Sequence, residues 1–447
     1  MKAIILSIGD ELVLGQTVDT NSAWLSQHLA GVGCDIVAHM TVGDEQKAIE
    51  QAIEESVGRC DALVISGGIG PTDDDLTRQA LAGVMQAPLE LNQAWLDHMS
   101  TYFTRLDRKM PPSNNIQAMI PRGATMIWNH HGTAAGIDAM FQSGDQKTTC
   151  HVFVMPGVPR EMKGMFTRDV LPHIQKASGG AAIVSRTLHT FGLGESTVAE
   201  RLGELMKRGR NPSVGTTVAG GVVSLRINAR SASPTEAEAQ ADETAAACQG
   251  VLGDIICGSG EETLPTVIAK MLREHAGEVD PASKKTHLTI ATAESCTGGL
   301  LAKLLTDIPG SSAYFTQGWV TYSNRAKYER LGVNEEVINV YGAVSEPVVE
   351  AMARNARRLA KSDFALAISG VAGPDGGTET KPVGTVCIAL ASKKSGSTAR
   401  GDDRYIESDV IPRTFHLPGD REMMRLRSAF MALTMLRFHL LGRPLPF

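Results

Sequence analysis

Short apolar runs alternate with amphipathic stretches along most of this chain. Ala3 to Ile8, Asp35 to Val42, Asp61 to Ser66 and His151 to Met155 read as strands. Between them, Asn21 to Val32 places Trp24, Leu25, His28 and Leu29 at helical spacing, and Glu45 to Gly58 places Ile49, Ala52, Ile53 and Val57 on one face. Such alternation predicts a parallel sheet with helices on both faces and ligands at the carboxyl ends of the strands. The last part repeats the pattern. Strands are expected at 288–293, 316–322, 364–369 and 383–391, and helices at 299–306, 324–331, 346–361 and 420–440, with a further helix from Leu264 to Glu274. The segment between reads as a small α+β unit. It has a strand from Ile183 to Phe191, a helix from Glu195 to Met206, and a hairpin of Ser213 to Val218 and Val222 to Arg230 around Gly220-Gly221. Ser233-Pro234-Thr235-Glu236 then opens an Ala-rich helix that ends near Gly250. The prediction is an α/β chain of three domains, 1–174, 175–260 and 261–447. Ala276 to Thr286 reads as a polar insertion and Lys393 to Arg404 as a mobile hairpin tip. There is no repeat period and no low-complexity tract.

Composition narrows the class without changing the architecture. With 447 residues, 43% hydrophobic and 21% charged, the chain reads as an ordinary soluble protein with ample core. A net charge of −6 offers no basic field for nucleic acid or anionic membrane, so direct nucleic-acid binding is not expected. The basic residues Lys207, Arg208, Arg210, Lys284 and Lys285 read as solvated loops. Seven cysteines without a C-x-x-C pair indicate neither a zinc site nor a disulfide framework, and fit a reducing cytoplasm. No apolar run approaches the ~20 residues of a membrane span, and the N-terminal stretch reads as a first strand, not a signal peptide.

Chemistry gathers at two places. Ala293-Glu294-Ser295-Cys296-Thr297-Gly298-Gly299, followed by Tyr322-Ser323-Asn324-Arg325-Ala326-Lys327, supplies a hydroxyl, a glycine pair, a phenol and an amine. Ser295 falls in a strand-to-helix turn. There it is either a helix cap or a nucleophile awaiting a base. Lys327 is the candidate base, provided burial or a cationic neighbour lowers its pKa from about 10.4. Tyr322 could hydrogen-bond both groups. Cys296 is a rival nucleophile beside the serine. No G-x-S-x-G elbow supports a Ser-His-Asp arrangement, and His189, His287 and His416 need no special role. A second glycine-rich loop, Ser369 to Gly377, follows an apolar strand.

The other place is acidic. Gly9-Asp10-Glu11 follows the first strand, Gly67-Gly68-Ile69-Gly70-Pro71-Thr72-Asp73-Asp74-Asp75 follows the third, and Pro156-Gly157-Val158-Pro159 follows the last of that half. Glycine amides beside carboxylates suit a phosphate together with a hard divalent cation, and diphosphate chemistry uses both. The plainer reading is that these acids merely favour a helix N-terminus.

Taken together, the motifs resemble one family over nearly the whole chain. A-E-S-C-T-G-G with Y-S-N-x-x-K is similar to the C-terminal domain of the CinA family, the PncC-type nicotinamide mononucleotide (NMN) amidohydrolases. The resemblance implies a three-layer α/β amidohydrolase domain. In it Ser295 is the nucleophile and Lys327 the base, with Tyr322 orienting the pair. Thr297, Gly298 and Gly299 would hold oxyanion or phosphate, and Asn324, Gly370, Gly373 and Arg421 would contact substrate. NMN deamidation, in pyridine nucleotide salvage, would need no cofactor. The first half resembles the molybdopterin-binding fold of the MogA and MoeA families, and more closely the CinA N-terminal domain. That implies a metal-dependent ADP-ribose pyrophosphatase site at Gly9, Asp10, Glu11, Gly68, Gly70, Thr72, Asp73, Asp74 and Asp75. Asp10, Asp74 and Asp75 are its candidate ligands for Mg, Mn or Co. The middle segment would be KH-like, and the family tends to form homodimers. The rival expectation is a competence- or DNA-damage-associated binding protein without amidase activity.

Overall fold

A computed structural model describes residues 1–142, 149–179, 182–274, 287–393 and 408–446. The expected polar insertion at 276–286, with Lys284 and Lys285, and most of the expected hairpin tip, 394–404, lie outside these described residues. The chain forms two compact units, Met1–Ser185 with Asn228–Asp242, and Arg186–Ile227 with Glu243–Phe447.

In the first unit the sheet order is Asp35–Val42, Lys2–Ile8, Ala62–Ser66, Thr149–Met155, Gly136–Gln142, Thr125–Ile127. The first four strands are parallel and the last two antiparallel. The first strand is apolar throughout because both of its faces are covered. Ile4, Leu6 and Ile8 meet Ile49 and Ile53 of helix Gln46–Val57 and Ala80 and Leu81 of helix Thr77–Val84. Ala3 and Ile5 meet Leu25 and Leu29 of helix Thr20–Gly31 and Met162 of helix Pro159–Met165. All three polar loops therefore leave the same, carboxyl, edge of the sheet. Residues 77–150, for which the sequence pattern predicts no elements, add helix Gln93–Arg105, capped by Asn92, and the antiparallel edge strands.

The small segment forms a four-stranded sheet ordered Ser213–Ala219, Val222–Ser231, Ala182–Phe191, Ile256–Ser259. The expected helix from Glu195 to Met206 is present in two parts, an α-helix Glu195–Leu202 and a 3-10 turn Gly203–Met206, the change falling at Gly203 with its left-handed φ of 46°.

The large sheet of the second unit runs Phe315–Val320, Ile290–Glu294, Phe364–Gly370, Thr385–Lys393, Ser408–His416. The first three strands are parallel and the last two antiparallel. Its two faces differ in side-chain size. Ala291, Ala293, Ala365, Ala367, Ala389 and Ala391 pack under Val348, Val349, Met352 and Ala356 of helix Glu346–Ala360. The other face carries Ile290, Leu366, Ile368, Ile388 and Leu390. They pack against helices Leu264–Glu274, Leu300–Thr306 and Arg421–Leu440. This is the three-layer arrangement expected for the last domain. Helix Glu335–Tyr341 and strand Ser408–His416 are additions to the sequence reading.

Candidate functional site

The strand Ile290–Glu294 ends on Glu294 and turns sharply at Ser295. The Ser295 amide donates to the carbonyl of Ile368 on the neighbouring strand at 2.9 Å, which anchors the turn to the sheet. Gly298 and Gly299 have φ of 60° and 93°, a backbone region that side chains disfavour, and they swing the chain into helix Leu300–Thr306. The serine is not a cap for this helix. The buried Glu294 carboxylate fills that role, accepting from the amides of Gly299 at 3.1 Å, Leu301 at 2.9 Å and Ala302 at 2.8 Å.

That cap redistributes the expected anion donors. The Gly299 amide belongs to Glu294, and the Gly298 amide donates to the Ser295 carbonyl at 3.0 Å. The amides of Cys296 and Thr297, beside the serine hydroxyl, make no backbone hydrogen bond in the described structure and are the donors left for a developing oxyanion.

Lys327 comes from helix Asn324–Leu331, whose N-cap Ser323 accepts from the Ala326 amide at 3.1 Å. The lysine is 1% exposed, and its Nζ donates to Ser295 Oγ and to the Thr321 carbonyl, each at 3.0 Å. Among the described residues no carboxylate pairs with it. Burial pushes its pKa below the ordinary amine range, and only a weak influence of Cys296 opposes this. Cys296 is itself buried, and burial raises its thiol to about 11, so it stays protonated and packs in the core.

Tyr322 is placed differently from its expected role. It is 58% exposed, and its hydroxyl accepts from Arg421 at 2.8 Å, not from the Ser295–Lys327 pair. Arg421, at the start of its helix, also donates to the Gly373 carbonyl at 2.7 Å. It thus joins the tyrosine to the second glycine loop. Gly370 needs to lack a side chain, since a Cβ there would lie 3.0 Å from the Thr385 carbonyl and 3.2 Å from Cys296 Sγ. Gly373 is left-handed, with φ of 74°. Asn324 is exposed at the start of the lysine helix. Arg425, one turn beyond Arg421, is absent from the sequence reading. It donates through two nitrogens to the Thr297 carbonyl, at 2.7 and 3.3 Å, and steadies the serine turn from outside. The i, i+4 spacing of two arginines at a helix start was the available signal.

The acidic loops line an open cleft of about 550 Å³ that includes Gly9, Glu11, Asp44, Gly67 to Thr72, Asp74, Asp75 and Glu161. Gly67 and Gly68 are left-handed, and a Cβ on Gly67 would sit 2.2 Å from the Ile8 carbonyl. Asp75 points back into its own loop, accepting from the Gly70 amide at 2.7 Å, from the Thr72 amide at 2.9 Å and from the Thr72 hydroxyl. Beneath it lies Arg78, fully buried, which donates to the Ile69 carbonyl at 2.8 Å. Asp10 exchanges backbone–carboxylate bonds with Asp44, at 2.8 and 3.1 Å. Asp44 is the acid the motif reading lacked. Partial burial raises its pKa, and the charges of Asp10, Glu11 and Asp74 add to that rise, opposed by the Asp10 amide. Asp74 is open to solvent, its pKa lowered by Thr72 and its own amide. Asp73 is also exposed. Among the described residues no three His, Cys, Asp or Glu side chains are gathered as a ready metal site.

A mixed α/β fold with a buried Ser–Lys pair in one unit and an acidic, glycine-lined cleft in the other defines a two-centre protein. Comparison with known proteins places it. The chain belongs to the CinA family. It matches the CinA C-terminal domain over residues 272–440, the probable molybdopterin binding domain over 4–176 and the damage-inducible protein CinA KH domain over 185–258. It is 41% identical over 99% of both chains to a putative competence-damage inducible protein of Symbiobacterium thermophilum. It is also 39% identical to a CinA-like protein of Geobacter sulfurreducens, over 99% of this chain and all of the other. The crystal structure of competence/damage inducible protein CihA from Agrobacterium tumefaciens is 37% identical, covering 39% of this chain and 94% of that one, with a TM-score of 0.32. No described helix is long and apolar enough to cross a membrane.

Proposed function

We propose that the second unit is an NMN amidohydrolase, converting the carboxamide to nicotinate mononucleotide and ammonia. The observation that carries this is the 3.0 Å approach of a buried, carboxylate-free Lys327 amine to Ser295 Oγ. The substrate comes from the family motif. A neutral amine at that distance takes the hydroxyl proton as Oγ attacks the amide carbon. The Cys296 and Thr297 amides hold the oxyanion; such a donor is worth roughly 3–4 kcal/mol of barrier. Lys327 then returns the proton to the departing ammonia, and water, deprotonated by the same amine, releases the product acid. Arg421, bridging Tyr322 and Gly373, supplies a cation for the substrate phosphate. The test is ammonia release from NMN with EDTA present. Wild type should release it and Ser295→Ala should not. Turnover by Ser295→Ala would remove the serine as nucleophile. Silence of a folded wild type would leave the binding-protein reading in its place.

The crowding of Asp44 by Asp10, Glu11 and Asp74 favours a second reading for the first unit, diphosphate cleavage of an ADP-ribose-like substrate. Glu11, Asp44 and Asp74 on the wall of an open cleft, with Asp10 bonded to Asp44, suit a divalent cation shared with substrate phosphates, which asks for only one or two protein carboxylates. Mg, Mn or Co bound there would neutralise phosphate charge and activate water. On this reading Asp10, Asp44 and Asp74 would hold it, while Asp75, turned into its own loop, and Arg78 brace the turn. Metal titration with ADP-ribose tests this, and EDTA should abolish it without touching ammonia release. A homodimer in the cytoplasm fits both readings, as do three domains at 1–174, 175–260 and 261–447.

A further inference from the structure

Away from both centres, two cysteine sulfurs face each other at the opposite edge of the first sheet. Cys60 precedes strand Ala62–Ser66 and Cys150 begins the neighbouring strand Thr149–Met155. Their Sγ atoms are 3.7 Å apart. These segments are tied in register, with the His151 amide donating to the Asp61 carbonyl at 2.9 Å. In that register Cys150 stands opposite Asp61, one position along from Cys60, and it is the approach of the two sulfurs that brings the pair within reach of a disulfide. Both sulfurs are buried, but unequally. Cys150 is 1% exposed, whereas Cys60 is 7% exposed and lies at the wall of a surface cleft of about 430 Å³ with Lys2, Asp35, Arg59 and Asp61. We propose that Cys60 and Cys150 form an oxidation site, in which a hydroperoxide entering the cleft converts the pair to a disulfide.

The chemistry is asymmetric and balanced. The Cys60 thiolate attacks one peroxide oxygen, giving a sulfenic acid as the O–O bond breaks and hydroxide leaves. Cys150 then attacks the Cys60 sulfur, closing the S–S bond, while its proton and the sulfenic hydroxyl leave as water. Overall, two thiols and one hydrogen peroxide give one disulfide and two waters. The hydrogen bond from Cys150 lowers the Cys60 thiol, against burial and Asp61, so Cys60 ionises first. In the reduced form Cys60 also donates to the Ser56 carbonyl at 3.2 Å, a bond that ionisation gives up. Cys150 is pushed up by that same hydrogen bond and by burial, which suits the resolving role.

The test treats the full-length protein with stoichiometric hydrogen peroxide and counts free thiols in denaturant. The count should fall from seven to five and return on reduction. Peptide mapping should find residues 60 and 150 cross-linked, with the loss of two hydrogens. Cys150→Ser should instead leave a sulfenic acid on Cys60 that dimedone traps. Cys60→Ser should leave Cys150 unoxidised. Seven thiols after treatment, or a cross-link between other cysteines, overturns the proposal; so does sulfinic acid on Cys60 with Cys150 still free. Ammonia release and metal binding play no part in the readout.

Discussion

Two glycine-rich turns, Gly67–Asp75 and Ser295–Gly299, occupy equivalent places in their sheets, at the carboxyl end of a parallel strand. Each contains left-handed glycines, and in each a carboxylate binds the turn's own amides. What separates them is water. At the second turn Glu294 is fully buried and satisfies the helix start from inside, so the space beside Ser295 holds a lysine without a counter-charge. At the first turn Asp75 braces the loop, but Asp44 and Asp74 remain in an open cleft where like charges accumulate. Dry surroundings make a side chain into a base, whereas a wet acidic edge recruits a cation. On the proposed reading one backbone device would serve two chemistries, with burial deciding which.

The sharpest way to break this comparison is at Lys327. Lys327→Met should lower ammonia release by about 10³-fold or more with KM little changed, since general-base loss costs roughly 10²–10⁴ and the nucleophile also loses activation. Because burial lowers the folded pKa of this amine, the native state binds fewer protons than the unfolded chain between that value and about 10.4. Wild-type stability therefore rises with pH across that window, and below it the buried charge is a full cost. Lys327→Met removes the cost, so its stability relative to wild type should improve as pH falls. Denaturation at several pH values checks this. A mutant that loses ground toward acid would mean that Lys327 is charged and stabilised in the fold. The activity of wild type should rise with pH through the folded pKa of Lys327.

Next in size is the inner cap. Glu294→Leu leaves one buried and two part-buried amides without an acceptor, at up to ~1–3 kcal/mol each, for an expected loss of about 2–3 kcal/mol. Urea unfolding measures it. A loss below ~1 kcal/mol would show that the amides find water, and that the turn is wetter than its neighbour suggests.

The cleft should respond to the opposite treatment. Burial and like charge raise the folded pKa of Asp44, so metal-free protein loses stability as pH rises from the unfolded to the folded value. Mn²⁺ at ten times its Kd should restore about 1.4 kcal/mol at neutral pH. Asp44→Asn should be less sensitive to pH without metal and should bind Mn²⁺ more weakly. Calorimetry with no Mn²⁺ binding by wild type would end the cation reading, while leaving the Ser–Lys unit untouched.

How far the sequence carries can be judged at particular residues. Ser295 and Lys327 were legible because strand, turn and helix signals fix their places, and the buried helix face of Asn324–Leu331 turns the lysine inward. Asp10 and the Gly67 loop were legible for the same reason. Glu294, Asp44 and Arg425 were not singled out, since a carboxylate's partners depend on which amides tertiary packing leaves unpaired. Tyr322 illustrates the converse. Its place after the strand was clear, but its hydroxyl bonds to Arg421, which lies 99 residues on. No periodicity reports such a pairing. The antiparallel-paired strands Gly136–Gln142 and Ser408–His416 escaped because each crosses or abuts polar sequence that weakens the alternation.

The smallest expected effect concerns Cys296, which neighbours the proposed nucleophile and is given no part in the proposed reaction. It belongs to the same buried cluster as Ile368, Leu301 and Val386, and burial holds the thiol near 11, four units above neutral. Cys296→Ala should therefore cost about 1 kcal/mol of packing and leave kcat within roughly threefold. Alkylation should spare the wild-type residue under native conditions. A hundredfold fall in kcat for a stably folded Cys296→Ala would reverse the assignment. The dry pocket would then hold a thiol nucleophile with Lys327 drawing its proton, and Ser295 would be the bystander.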